Sequence, residues 1–227
     1  MKNSLLELFF PRFCVGCGYL GAYVCHNCEK KLVRVEKNTC YYCERPSFLG
    51  FTHPGCKRSE GIDGSLSLYL YTGLFKRILH ESKYKGAFIV LKALISISGQ
   101  GIYDEVGYWK RIYNPLITYV PLNINRLKQR GFNQSKIIAE KYSRLNEIES
   151  IECLSRVLNT PHLANIKDKS ERKRNIKNAF IFTGQTIPQS VILVDDVITT
   201  GATVLECAKV LKKEGVQTVL TISLAKG

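Results

Sequence analysis

From residue 65 onward, hydrophobic and polar positions switch repeatedly between a period of two and a helical period. "SLSLYLY" (65–71) alternates like a half-buried strand. "LFKRILHESK" follows with helical spacing, and "GAFIVLKALISIS" predicts a second helix, mostly buried. "LITYVPL" (116–122) predicts a strand ending near Pro121. "NQSKIIAEKYSRL" predicts a helix with Asn133 as its cap. "CLSRVLN" and "NAFIF" read as two further strands, the second closed by the turn "GQTIPQ". Val191 to Val194 form a short apolar run that Asp195 and Asp196 are expected to stop. A helix over 203–213 places Val204, Leu205, Ala208 and Leu211 on one face, with Gly215 as its C-cap. "TVLTISLA" is the last strand. Strands alternating with helices predict an α/β domain with a mostly parallel sheet covered on both faces. Ligands bind such sheets at the carboxyl ends of the strands, where the double aspartate lies.

Residues 1–60 have a different pattern. "MKNSLLELFFPRF" suggests a short amphipathic helix, and no small-residue cleavage site follows it. Seven of the nine cysteines fall within 14–56. They form Cys14/Cys17, Cys25/Cys28 and Cys40/Cys43, and a fourth pair is His53/Cys56. A C-x-x-C turn directs two thiolates to one point, and two such turns complete a tetrahedral zinc site. Eight ligands therefore predict two zinc ions. Sequential pairing of the knuckles is expected, with an interleaved cross-brace as the alternative. Four protein ligands leave no open coordination position, so both ions are read as structural. So short a stretch has little core of its own and needs such staples. The polar segment "KRSEGIDG" (57–64) sets the expected boundary between a module at 1–60 and a domain at 61–227.

Charge adds a partner class. With 33 basic and 19 acidic residues the formal charge is +14, which favours a polyanion: nucleic acid, a phosphorylated ligand, or both. No apolar run approaches the eighteen residues of a membrane span, and a cytoplasmic location is expected.

The chemistry concentrates in "VILVDDVITTGAT" (191–203). A loop entering a helix N-terminus offers free N–H groups and the positive end of a dipole, which suits phosphate. Thr199, Thr200 and Thr203 add hydroxyls, and Gly201 lets backbone approach an anion closely. Asp195 and Asp196, a few residues upstream, are suited to accept hydrogen bonds from vicinal sugar hydroxyls. One loop would thus hold both ends of a ribose 5-phosphate. A Walker B strand is the competing reading, but no G-x-x-x-x-G-K-[ST] occurs in the chain.

The stretch resembles the phosphoribosyl pyrophosphate (PRPP) loop of type I phosphoribosyltransferases: apolar strand, two acids, then T-x-G-x-T. "RLKQRGFNQS" (126–135) and "ERKRNIKNAF" (171–180) resemble signatures of the ComF family, as do the paired cysteine knuckles. "HPGC" departs from the second C-x-x-C more usual there. The resemblance implies a phosphoribosyltransferase-like sheet preceded by a double zinc ribbon, PRPP with Mg²⁺ as ligand, and phosphoribosyl transfer as activity. It implies that Asp195, Asp196, Thr199, Thr200, Gly201, Ala202 and Thr203 bind PRPP. Arg126 and Arg130 would lie on a pyrophosphate loop, with Asn133 and Gln134 nearby. Lys83 and Tyr84 match a further family pattern. Residues 167–177 would form a loop closing over the site, with Arg172 and Asn175 matching the motif. Arg126, Arg130 and Arg172 would stabilise departing pyrophosphate, with Asp195 and Asp196 beside the developing charge on ribose. It also implies a part in natural transformation, with single-stranded DNA and other uptake proteins, such as a helicase of the same operon, as partners. Tyr41 and Tyr42 are candidate platforms for stacking DNA bases, unless they pack inside the ribbon. No C-terminal hood follows the last strand, so 61–115 or the zinc module is expected to cover the acceptor.

Overall fold

The computed structural model describes residues 11–83, 88–98, 102–158 and 174–227. The helix expected at the start falls largely outside them, as do Tyr84, Arg172 and most of the 167–177 loop.

Four strands build the main sheet: β1 (Gly64–Leu70), β2 (Leu116–Tyr119), and two long ones, Ser190–Ile198 and Thr218–Lys226. Between them in sequence, β3 (Leu154–Arg156) and β4 (Phe180–Phe182) pair antiparallel as a separate ribbon, so the long strands are β5 and β6. The sheet order is β1-β6-β5-β2, and every pair in it is parallel. The fold is therefore α/β with a parallel sheet, as the alternating pattern predicts.

Alternation along β5 builds two cores. Ile192 and Val194 pack with Leu220, Leu224 and the buried residues of α1 (Gly73–Glu81), α2 (Phe88–Ser98) and α3 (Tyr103–Tyr113). Val191 and Leu193 face the other way, toward a cluster containing Val204, Cys207 and Leu211. Those three residues lie on the helix Ala202–Lys213. Between β2 and it lie α4 (Ile124–Arg130) and α5 (Gln134–Asn146), and Ala202–Lys213 is labelled α6. Asn133 caps α5, its side chain accepting from Ser135 N at 3.0 Å, as expected. Gly215, with φ of +110°, stands one position beyond the terminal residue Glu214, where a left-handed residue ends the helix.

Two expectations are corrected and one element is added. First, the acids do not end β5. Pairing with β6 continues through Asp195↔Ser223 to Ile198↔Lys226, because β6 itself runs to Lys226. The opposite neighbour β2 stops at Tyr119↔Val194, so the acids lose one flank of the ladder and keep the other. Second, the segment carrying Arg126 and Arg130 is a helix rather than a loop. Asn123 caps it by accepting from Asn125 N at 2.9 Å. Third, α3 carries no sequence signal above: only Val106 and Trp109 are buried on it, a stripe too narrow to show as periodicity.

The N-terminal module docks on β1. Val35 N donates to Leu68 O at 2.9 Å and Leu70 N to Val33 O at 2.8 Å, which covers that sheet edge. Cys14, Val24, Cys25, Cys28 and Leu32 join the same core as Leu66, Phe75 and Leu79.

Candidate ligand site and metal centres

Two groups of metal-ligating side chains are present among the described residues: Cys14, Cys17, Cys25 and Cys28, and Cys40, Cys43, His53 and Cys56. Within each, the donor atoms all lie within 4.8 Å of one another. The knuckles are thus grouped sequentially, not interleaved. A zinc ion with 2.3 Å bonds to sulfur needs tetrahedral sulfur separations of about 3.8 Å. The Cys17 and Cys25 sulfurs stand 3.5 Å apart, so the donor set and spacing fit. In the second group Cys43 Sγ lies 3.3 Å from His53 Nδ1. The other ring nitrogen, Nε2, lies 3.1 Å from Pro46 O, a contact that makes Nε2 the protonated nitrogen and turns Nδ1 toward the thiols. This is the outer hydrogen bond that a ligating histidine needs, and it separates His53 from an ordinary surface residue. Arg45 beside Cys43 lowers that thiol to about 6, so the thiolate that a metal requires is favoured. Both remaining cysteines, Cys153 and Cys207, are buried free thiols.

The anion loop sits where β5 turns into α6. Gly201 has φ of +70°, and its carbonyl accepts the first helical bond from Leu205 N at 2.9 Å. Thr200 Oγ1 lies 3.5 Å from Ala202 N. The first-turn N–H groups of a helix have no carbonyl partner inside it, so this end offers donors to an anion. Thr199 is exposed, Thr200 and Thr203 are half-buried, and Ala202 is buried under the turn.

Asp195 is 8% exposed and accepts from Ser135 Oγ and from Asp196 N, each at 2.9 Å. Burial and then the neighbouring Asp196 charge push its carboxyl up to about 8. Asp196 stays paired: Lys83 Nζ lies 3.3 Å from its Oδ2. The structure therefore brings Lys83, at the end of α1, to the acid pair, which sequence spacing alone does not require.

Three arginines crowd the same region. Arg126 and Arg130 are four residues apart on α4 and so share a helix face. Arg130 Nη1 donates to Gln134 Oε1 at 3.2 Å and feels the Asp196 charge. Burial first, then the charges of Arg156 and Arg130, lowers Arg126 to about 10. Arg156 on β3 is buried, with its guanidinium 5.5 Å from the Phe180 ring, and burial lowers it too. Crowded guanidiniums whose charge is disfavoured by their surroundings are stabilised by an incoming polyanion. Arg156 escapes the sequence reading because a lone Arg in a short strand carries no motif; only the fold brings it to Arg126. Ser135 lies inside the 126–135 signature, but only the fold brings its hydroxyl to Asp195.

The zinc module reaches the loop. Tyr41, next to the ligand Cys40, donates its hydroxyl to Gly201 O at 2.9 Å. A Cβ on Gly201 would lie 1.9 Å from that hydroxyl oxygen, so only glycine fits beneath Tyr41. Tyr42 accepts from Ile62 N at 2.9 Å, and the Arg58 guanidinium covers its ring at 4.4 Å. The tyrosines meet edge to face at 4.9 Å. Both are thus packed between module and sheet rather than presented for base stacking, because their hydroxyls are needed there.

Two clefts flank the loop. One of about 610 Å³ separates the module from the carboxyl ends of β1, β5 and β6. The other, about 980 Å³, runs along the outer side of α6 and includes neither the acid pair nor Arg126 and Arg130.

These features define an α/β protein in which a module with two metal-binding groups reaches the anion-type loop, while an acid pair and an arginine cluster lie on the elements leading into that loop. The chain belongs to the ComF family. The DNA utilization protein YhgH of Escherichia coli O6:H1 is 39% identical over 207 residues, spanning 86% of this chain and 87% of that protein. Competence protein ComFC of Streptococcus pneumoniae is 26% identical over 208 residues, 89% of this chain and 87% of the relative. Competence protein ComFC of Bacillus subtilis is 26% identical over 208 residues, with 85% and 79% covered. No family model matches the chain. Those relatives are named for competence and for DNA utilization. No helix among the described residues is long and apolar enough to cross a membrane.

Proposed function

We propose that the chain binds PRPP through the loop and acid pair and acts in DNA uptake as a phosphoribosyltransferase-like protein. The observation that carries this is that Lys83, Arg130 and Arg156 surround Asp195 and Asp196 near the end of β5, with Arg126 beside Arg130 and Arg156, just ahead of the loop that enters α6. Each part suits one part of PRPP. The loop end of α6, with Thr199, Thr200, Gly201, Ala202 and Thr203, takes the 5-phosphate. The acids take the ribose hydroxyls, with Ser135 holding Asp195 in place. The arginines, joined by Arg172 from beyond the described residues, take the diphosphate.

In transfer, the bond from ribose C1 to the pyrophosphate oxygen breaks and its electron pair leaves with pyrophosphate. The arginines stabilise that charge, and the acids stand near the positive charge on the ring. Mg²⁺ accompanying PRPP would add neutralisation, and Asp195 and Asp196 would be the hard oxygen donors the described site offers it. The two zinc ions are structural.

The test is calorimetry of PRPP with Mg²⁺ against wild type and Asp195→Asn/Asp196→Asn. Losing charged hydrogen bonds costs about 1.5–3 kcal/mol each, roughly ten- to a hundredfold in affinity. Wild-type affinity in the double variant, with zinc content unchanged, would sink the assignment.

A second reading is a non-catalytic component that binds PRPP or single-stranded DNA beside other uptake proteins, such as a helicase. The formal charge of +14 and the relatives' names favour it. Pyrophosphate release with candidate acceptors separates the two readings.

A further inference from the structure

The chain around Cys40 ties the second metal group to the sheet domain residue by residue. Thr39 Oγ1 accepts from Lys226 Nζ of β6 at 3.0 Å. Cys40 is fully buried and is one of the four metal-ligating residues. Tyr41 donates to Gly201 O at 2.9 Å, and Tyr42 accepts from Ile62 N at 2.9 Å. Gly201 O also accepts the first bond of α6 from Leu205 N. A metal held by Cys40 therefore fixes the strut that rests on the anion loop.

The other three donors of that group are reachable from solvent, since Cys43, His53 and Cys56 are half-buried. Their donor atoms lie within 4.8 Å of one another. The first group is built differently. Cys17 is exposed there, but Cys14, Cys25 and Cys28 are buried in the core shared with Phe75 and Leu79. Any disulfide in the first group must take a sulfur from that core, whereas Cys43 and Cys56 can pair at the surface.

We propose that Cys43 and Cys56 form an oxidation site for peroxides, and that its state sets the order of the anion loop. The thiolate is the form that both binds metal and attacks a peroxide, and access decides which thiolate reacts. One thiolate attacks a peroxide oxygen; the S–O bond forms, the O–O bond breaks, and hydroxide leaves. The second thiolate then attacks that sulfur; the S–S bond forms, the S–O bond breaks, and a second hydroxide leaves. Two thiolates have lost two electrons, and one hydrogen peroxide has gained them. The metal site has lost two of its four donors, so Cys40 is no longer held and Tyr41 loses its footing on Gly201. A dithiol reductant with zinc reverses each step. Weaker PRPP binding by the oxidised protein follows, and that consequence alone rests on the PRPP reading.

The test treats the full zinc-loaded chain with hydrogen peroxide. Released zinc is read with a chromogenic chelator, disulfides by peptide mass mapping, and loop order by hydrogen exchange of residues 197–204. One zinc per chain should leave first, together with a Cys43–Cys56 disulfide, while the first group keeps its own. Exchange at 197–204 should then quicken about two- to tenfold, as for loss of one hydrogen bond, and recover with dithiothreitol and zinc. In Tyr41→Phe the same zinc and the same disulfide should appear, but exchange, already fast, should rise no further. That variant separates coupling from general damage, because it removes the contact and leaves both donor groups intact. Simultaneous loss of both zinc ions, a first disulfide through Cys14 or Cys17, or loop exchange unchanged after zinc release overturns the proposal. So does exchange that still responds to peroxide in Tyr41→Phe. PRPP calorimetry accompanies these measurements on the reduced and oxidised protein. Failure of the reduced protein to bind PRPP sinks the PRPP reading alone, since zinc release and exchange decide the oxidation site.

Discussion

The two metal-binding groups use the same chemistry for different ends. Around the first, Cys14, Cys25 and Cys28 are buried and belong to the core that packs against α1. A Cβ on Gly16 would meet Cys28 Sγ at 2.6 Å and Leu74 at 2.9 Å, so knuckle and helix are in direct contact. Around the second, only Cys40 is buried, while Cys43, His53 and Cys56 are half-buried. That group faces the ligand site instead, through Tyr41 and Gly201. A metal that organises core stabilises the fold, whereas a metal at a rim positions what lies beside it. The comparison teaches that ligand count alone does not tell these roles apart.

Three results would break or sharpen that contrast, beginning with the largest. Cys28→Ser should lower the melting temperature by more than about 10 °C, since losing a buried structural ligand is among the few changes costing over about 4 kcal/mol. Cys56→Ser should cost much less by the same scanning measurement. Elemental analysis should give two zinc per chain in wild type and one in Cys56→Ser. Equal melting losses in the two variants would erase the distinction between the groups.

The second result concerns pH. Burial and Asp196 raise Asp195 from an ordinary 3.8 to about 8 in the folded, ligand-free protein. Between those values the folded state keeps a proton that the unfolded chain has lost. Stability therefore falls as pH rises from about 4 to about 8 and then levels. Asp195→Asn should stabilise the ligand-free protein, by up to about 3 kcal/mol more at pH 8.5 than at pH 6. Denaturant melts at the two pH values measure this, and a gain that does not grow with pH would show Asp195 ionised and stabilised in the empty site.

The smallest effect belongs to Tyr41→Phe, which deletes one hydroxyl. Loss of that hydrogen bond is worth about 0.5–1.5 kcal/mol, a few-fold in PRPP affinity, with zinc content and melting temperature near wild type. Hydrogen exchange of residues 197–204 should quicken in the same variant. Unchanged exchange would mean that the second group does not steady the loop.

Much of this was legible without the fold. The alternation of periods defines an α/β sheet, because strands and helices need apolar residues at different spacings. The knuckles announce metal binding, because tetrahedral coordination demands thiols in close pairs. Acids followed by Thr and Gly mark the loop, because local backbone geometry carries that chemistry. His53 is legible only in part: position makes it a candidate, and the contact with Pro46 O supplies the reason. The α3 helix and the helical form of 124–130 were not legible, since narrow or polar stripes give weak periodicity. Nor was the length of β5: the acids look like a stop, and only pairing with β6 carries the strand past them. Side chains distant in sequence meet for reasons no local pattern encodes. Arg156 reaches Arg126 because β3 and β4 form their own ribbon, and Lys83 reaches Asp196 because α1 ends beside β5. Tyr41 and Gly201 are 160 positions apart, and their contact exists because the module docks on the edge of β1. The sequence by itself determined the element types, the metal ligands and the loop chemistry, all of which rest on neighbours in the chain. Tertiary packing alone decided which cations surround the acids and what roofs the cleft, because those depend on how separate elements bury their faces against one another.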